Sequence, residues 1–134
     1  MIDGNTRTRC GLLTAEPQLF VTDIETTCEF FVSKLGFSVA FRYGEPPFYA
    51  QVFRDGARLN LRHVDKPVFD PEFRDREQLL SATITLEDAE SLFQQYEEAG
   101  VAFARTLRSE PWGANTFIVR DPDGNLILFS GGRE

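Results

Sequence analysis

Between residues 16 and 22 the chain alternates, with Gln18, Phe20 and Thr22 on one side and Leu19 and Val21 on the other, the two-residue period of a strand with unlike faces. The period then lengthens. Thr22 and Asp23 offer an N-cap, Ile24, Cys28, Phe31, Val32 and Leu35 recur at helical spacing, and Gly36 closes the segment. Three strands follow at residues 37–43, 48–54 and 57–63, the last two joined across Asp55-Gly56, a tight-hairpin signal. The second half repeats this order: a strand at 79–86, a helix at 88–99 capped by Gly100, and strands at 102–106, 115–120 and 125–130. The last two are joined by Asp121-Pro122-Asp123-Gly124, in which Pro and Gly supply the turn angles.

The agreement of order, spacing and turn chemistry predicts a duplication, with Leu35-Gly36-Phe37 matching Ala99-Gly100-Val101 and the Arg54-Asp55-Gly56 turn matching Arg120-Asp121 through Gly124. The expected fold class is α+β: two βαβββ modules forming a curved mixed sheet around a cleft, with the helices outside. Residues 16–130 read as one domain, with module 1 at 16–64 and module 2 at 79–130. Residues 65–78, rich in Pro and charge, read as a linker that packs shallowly. Residues 1–15 carry no periodicity and read as an N-terminal arm, mobile or exchanged between subunits.

Composition narrows the function. Thirteen Phe in 134 residues is a heavy aromatic load, enough for a core and for pocket walls. A formal charge of −7 repels phosphate backbones and anionic headgroups, so neither nucleic acid nor membrane is an expected partner. Cys10 and Cys28 are too far apart for a CxxC motif and have no second cluster for zinc, so both are expected to stay reduced. Asp3, Arg7 and Arg9 follow Met1 without an apolar run, and no stretch reaches membrane-spanning length, which makes a cytoplasmic location the expectation.

The segments Leu35-Gly36-Phe37-Ser38-Val39-Ala40-Phe41-Arg42, Pro111-Trp112-Gly113 with Phe117, and Arg120-Asp121-Pro122-Asp123-Gly124-Asn125 resemble the vicinal oxygen chelate superfamily of glyoxalases, bleomycin resistance proteins and dioxygenases, and within it the bleomycin resistance proteins. The resemblance covers residues 16–130. It implies a homodimer whose paired modules form two clefts, with the ligand held by aromatic walls and acidic charge and sequestered rather than transformed.

Enzymes of that superfamily hold a divalent ion with His, Glu or Gln on the first and last strands of each module. Carried onto this chain, those positions fall on Glu16, Asn60, Ser81 or Leu79, and Leu128, of which only Glu16 is a good hard-metal ligand. The one histidine, His63, shares its strand face with Leu59 and Leu61 and reads as structural. No nucleophile elbow or nucleophile–base pairing is present, so no catalytic residue, metal or cofactor is expected.

Parity puts Glu16, Gln18, Phe20 and Thr22, with Arg58, Asn60 and Arg62, on the cleft side. Trp112, in its Pro-Trp-Gly loop, reads as a pocket cap. Phe41, Phe48, Tyr49 and Phe117 are further aromatic candidates, with Glu45-Pro46-Pro47 stiffening the approach to Phe48. The expected ligand-binding set is therefore Trp112, Phe41, Phe48, Tyr49, Asn60, Arg62, Phe117 and Glu16. The expected partner is a small organic molecule, planar or cationic, although Arg58 and Arg62 suit a carboxylate or phosphate equally well. Two rival readings stand beside this one: a glyoxalase-like lyase or isomerase, or dioxygenase-related enzyme, acting on a small metabolite; and a module that uses its surface for a protein partner.

Overall fold

The computed structural model describes residues 9–132. Module 1 runs β1 (Gln18–Val21), α1 (Ile24–Ser33), β2 (Ser38–Tyr43), β3 (Tyr49–Arg54) and β4 (Ala57–His63). After α2 (Pro71–Glu77), module 2 runs β5 (Leu80–Leu86), α3 (Ala89–Glu98), β6 (Phe103–Ser109), β7 (Asn115–Arg120) and β8 (Leu126–Gly131). Each module forms a four-stranded mixed sheet of the same topology, β1-β4-β3-β2 and β5-β8-β7-β6, with the first and last strands of the module parallel and the other pairs antiparallel. The duplication is thus present in the pairing as well as in the order.

α1 and α3 each cover one face of their own sheet. Ile24, Cys28, Phe31 and Leu35 meet Leu19, Val21, Val52 and Leu61, all buried. In the second module Ala89, Leu92 and Tyr96 meet Phe117, Val119, Ile127 and Phe129. Fully burying each large apolar side chain stabilises the fold by about 1.5–3 kcal/mol, which fixes the strand face that turns toward the helix. Cys28 belongs to this layer, and burial pushes its thiol pKa up. Local chemistry sets the helix ends: the Asp23 carboxylate accepts from Thr26 N at 3.1 Å and the Asp88 carboxylate from Ser91 N at 3.0 Å. Gly36, at φ 76°, ends the first helical segment where a Cβ would stand 2.8 Å from Arg54 Nη1.

The two sheets do not join into the single curved sheet expected from the sequence. Neither β1 nor β5 pairs with the other sheet. The modules are tied instead at two places. At one, Tyr96 Oη and Arg54 Nη1 both donate to the Leu35 carbonyl, at 2.8 and 2.9 Å, and Lys34 Nζ donates to the Ala99 carbonyl at 2.8 Å. Burial raises the Tyr96 pKa to about 12, so its hydroxyl stays a donor. At the other, the Asp123 carboxylate accepts from Thr22 N at 3.1 Å and Thr22 Oγ1 at 2.7 Å, and Asn125 Nδ2 donates to the Phe20 carbonyl at 3.0 Å. The turn Asp121-Pro122-Asp123-Gly124-Asn125 therefore does more than reverse the chain. It clasps the end of β1.

Three stretches differ from the sequence expectation. Residues 65–78 are not a shallow link: they contain α2, capped by the Asp70 carboxylate on Glu72 N at 3.2 Å with Pro71 at its start, and Arg74 within it is buried. β6 runs on to Ser109 because two register shifts against β7, between Phe103 and Arg105 and between Arg105 and Arg108, break its two-residue period. Of the N-terminal arm, residues 1–8 lie outside the described residues; within 9–15, Leu12 and Leu13 are almost fully exposed.

Candidate functional site

The face of the first sheet turned away from α1 carries a ring-and-amide surface. Because strand partners stand directly opposite, the pairing places side chains in rows. One row is Tyr43, Tyr49, Arg62 and Phe20; the next is Phe41, Gln51, Asn60 and Gln18. Phe41 and Tyr43 reach this face because the register slips between Val39 and Phe41, which sends Val39 to the core and Phe41 outward. The Phe41 and Tyr49 rings lie 6.0 Å apart, 31° from parallel, and Phe48 meets Tyr43 edge-on at 5.5 Å. Phe41 is 43% exposed, Phe48 50% and Tyr43 66%. So many large rings left uncovered on one side of a sheet mark an interaction surface.

The amides beneath the rings are held in a chain. Gln51 Nε2 donates to Asn60 Oδ1 at 2.9 Å and to Glu16 Oε1 at 3.2 Å, and Asn60 Nδ2 donates to the same Glu16 oxygen at 3.3 Å. Arg58 Nη1 donates to Gln51 Oε1 at 3.0 Å and its guanidinium lies over the Phe53 ring at 5.2 Å. Gln18 Nε2 donates to Tyr49 Oη at 3.3 Å. This chain orients the floor of the face and fixes the Tyr49 hydroxyl. Its charge is local: Arg58 and Arg62 against Glu16, the reverse of the acidic whole.

Of the sequence-predicted residues, Phe41, Tyr49, Asn60, Arg62 and Glu16 meet on this face, with Phe48 at its rim through Tyr43. Two do not join them. Phe117 is fully buried under α3, stacked on Phe129 at 5.0 Å and edge-on to Tyr96, so its ring is core packing. Trp112 is 62% exposed on the turn between β6 and β7, in the other module. Sequence reading missed Tyr43 and Gln51. The parity of β3, Tyr49, Gln51, Phe53, contained the signal for Gln51, whereas the slip in β2 hid Tyr43.

The corresponding face of the second sheet is furnished differently. Thr83, Leu128, Ile118 and Arg105 share one row, and Thr116 lies in the next. Glu110 Oε2 accepts from Thr116 Oγ1 at 2.7 Å, Arg108 Nε at 3.0 Å and Arg105 Nη2 at 3.5 Å. The Thr116 hydroxyl first, then Arg108, hold the Glu110 carboxyl below its ordinary range, which makes it a poor base.

These donors do not fit a divalent ion of the kind the superfamily's enzymes hold. Glu16 is engaged by two amides, Leu128 offers no donor, and Ser81 hydrogen-bonds Asn125 Oδ1 at 3.3 Å. Among the described residues no three His, Cys, Asp or Glu side chains are grouped to hold a metal. His63 closes β4 opposite Val21, with its ring 3.3 Å from Asp65.

Two cavities lie elsewhere. One of about 450 Å³ lies between the modules, lined by the β3–β4 turn, β5 and α3, and its apolar walls include the core residues Leu59, Leu92 and Phe129. It is the gap left where the two sheets do not join. The other, of about 110 Å³, lies between β1 and α2.

Comparison with known proteins agrees with the fold. The glyoxalase/bleomycin resistance protein/dioxygenase superfamily profile matches residues 13–129. A bleomycin resistance protein of Geobacillus stearothermophilus is 30% identical over 129 residues, covering 88% of this chain and 96% of the relative, and one of Staphylococcus aureus matches to the same extent. Among solved structures, a bleomycin-binding protein from bleomycin-producing Streptomyces verticillus, complexed with copper(II)-bleomycin, aligns with a TM-score of 0.72 at 28% identity, covering 93% of this chain and 100% of that one. No helix of the described residues is long and apolar enough to cross a membrane.

Proposed function

Since the chain belongs to the glyoxalase/bleomycin resistance protein/dioxygenase superfamily, we propose that it is a binding protein of the bleomycin-resistance kind, holding a ring-bearing organic ligand on the outer face of its first sheet without transforming it. The observation that carries this reading is the exposed Phe41–Tyr49 pair above a fixed row of amides. Rings supply sequence-blind stacking area at low entropic cost, and Gln18, Gln51 and Asn60 supply directional hydrogen bonds at its base. Arg62, opposite Tyr49, suits an anionic or carbonyl group of the ligand.

A single chain offers this surface one wall. We take the opposite wall to come from a second copy, which makes the working unit a homodimer with two equivalent clefts, and Trp112 is available to line them from its exposed turn. An enzymatic reading has less support: the family's ligand positions among the described residues do not make a metal-binding set, and Glu110, although it stands beside the Thr116 hydroxyl, is a weakened base.

The test is calorimetric titration of the purified protein with bleomycin, with mass measurement by light scattering and analysis of the recovered drug. Saturable binding at two sites per dimer with unaltered drug is expected. Phe41→Ala and Tyr49→Ala should each weaken it roughly tenfold, about 1.4 kcal/mol, the scale of one aromatic contact. No heat at high micromolar drug removes bleomycin as the ligand, and a chemically altered product removes the passive reading.

A further inference from the structure

The small cavity between the modules contains a charge that the protein itself does not neutralise. Arg74, on α2, is only 4% exposed, yet among the described residues it forms no ion pair. One of its donors, Nη1, reaches Asn125 Oδ1 at 3.2 Å; its Nε is buried without a hydrogen-bond partner among the described residues. Phe69 packs over the guanidinium at 4.9 Å. The neighbouring cavity, about 110 Å³, is lined by Arg74 with Ser81, Asn125, Gln18, Phe20, Phe69, Leu79 and Leu80.

A guanidinium is always charged and has five donors in a planar fork; here one is spent on Asn125 and the buried Nε is left without a partner. The nearest acid in the network, Asp121, is held off by Asn125, whose Nδ2 donates to Asp121 Oδ2 at 2.8 Å while its Oδ1 faces Arg74 and Ser81. Asp121 spends its other oxygen on backbone N–H groups of Asp123 and Asn125, at 2.9 and 2.8 Å. Asp75, next to Arg74 in the chain, is engaged by Arg120, and Asp123 by Thr22. A buried cation with no ion pair among the described residues and an unpartnered Nε is costly unless an anion comes from outside.

We propose that this cavity is a binding site for a small oxyanion, a carboxylate or inorganic phosphate, gripped by the Arg74 fork beside Ser81. Its walls explain the class. Leu79, Leu80 and Phe20 give the site apolar walls that lower the local dielectric around the guanidinium, and the volume admits a group of a few heavy atoms. The assignment stands apart from the cleft reading, although Gln18 and Phe20 belong to both surfaces. The anion is therefore either a free ion or the acidic arm of a molecule resting on the rings.

The experiment titrates the full chain with acetate, phosphate and an aryl carboxylate at constant ionic strength, following the Arg74 Nε–Hε resonance and the melting temperature. A saturable Arg74 shift is expected, with a rise in Tm of about 5 °C at tenfold excess over Kd. Arg74→Met should abolish both responses while Arg76→Met, on the exposed side of the same helix, retains them. Acetate or phosphate moving Arg74 alone identifies a free ion; an aryl carboxylate moving Arg74 and Tyr49 together identifies a ligand arm. Either supports the site. If Arg74→Met does not fold, the parent resonance decides, and an Arg74 signal indifferent to all three anions up to tens of millimolar overturns the proposal.

Discussion

Replacing Asn125 by Ala should be among the most damaging single changes in the chain. The side chain is 2% exposed and makes four hydrogen bonds: to the Phe20 carbonyl at 3.0 Å, to Asp121 Oδ2 at 2.8 Å, and from Arg74 Nη1 at 3.2 Å and Ser81 Oγ at 3.3 Å. Bonds to ionised partners are worth about 1.5–3 kcal/mol and neutral ones about 0.5–1.5 kcal/mol. The four share one side chain and do not add, so a net loss of about 4 kcal/mol is expected, a large part of an ordinary domain's stability. With an m value near 2 kcal/mol/M the urea midpoint falls by about 2 M.

The pH dependence of that loss is also set. Burial raises the Asp121 pKa to about 6 from an ordinary 3.8, while the Asn125 donors pull it back down. A carboxyl whose folded pKa is raised costs stability when ionised: nothing below the unfolded value, and fully above the folded one. Without the Asn125 amide the folded pKa climbs further, so the deficit should be larger at pH 8 than at pH 4. Asn115→Ala, which removes the contacts to Gly132 O and Ser109 Oγ at a less buried site, is the control and should cost about 1 kcal/mol. A loss below about 1 kcal/mol for Asn125→Ala, or one independent of pH, would refute the clasp as a source of stability.

Two further outcomes check the assignment of faces and charges. Phe117→Ala should destabilise by about 3–5 kcal/mol in denaturant titrations while leaving ligand affinity per folded molecule unchanged, and a variant of normal stability that loses ligand would return Phe117 to the site. Glu110→Gln should lower Tm at neutral pH. Because its folded pKa is depressed below 4.5, chiefly by Thr116, its contribution is present above that value and is lost as pH falls through the folded pKa, so parent and variant melting temperatures should converge as the solution is acidified through it.

What the sequence determined by itself is whatever rests on period and turn chemistry. The alternation of Leu19 and Val21 against Gln18 and Phe20 assigned the faces of β1, the Asp23 cap and the closing Gly36 and Gly100 placed two helices, and the repeated order of elements implied two like modules. The same parity gathered Glu16, Asn60 and Arg62 on one face. Asp70-Pro71 announced α2 in the same language, as N-cap and first helical residue, but the surrounding charge masked it.

Tertiary structure decided what periodicity does not encode. A register slip moved Tyr43 onto the ring surface, and two more carried β6 beyond its apparent end, because a bulge changes parity without changing composition. Phe117 and Trp112 were indistinguishable from ligand contacts as letters; one is fully buried and the other stands in solvent, a difference made by what packs above each. The meeting of Arg74 with Asn125, 51 residues apart, and of Asp123 with Thr22, 101 apart, depends on how two independently patterned modules dock. Long-range contacts of polar groups follow from that docking, and no local pattern in the chain records it.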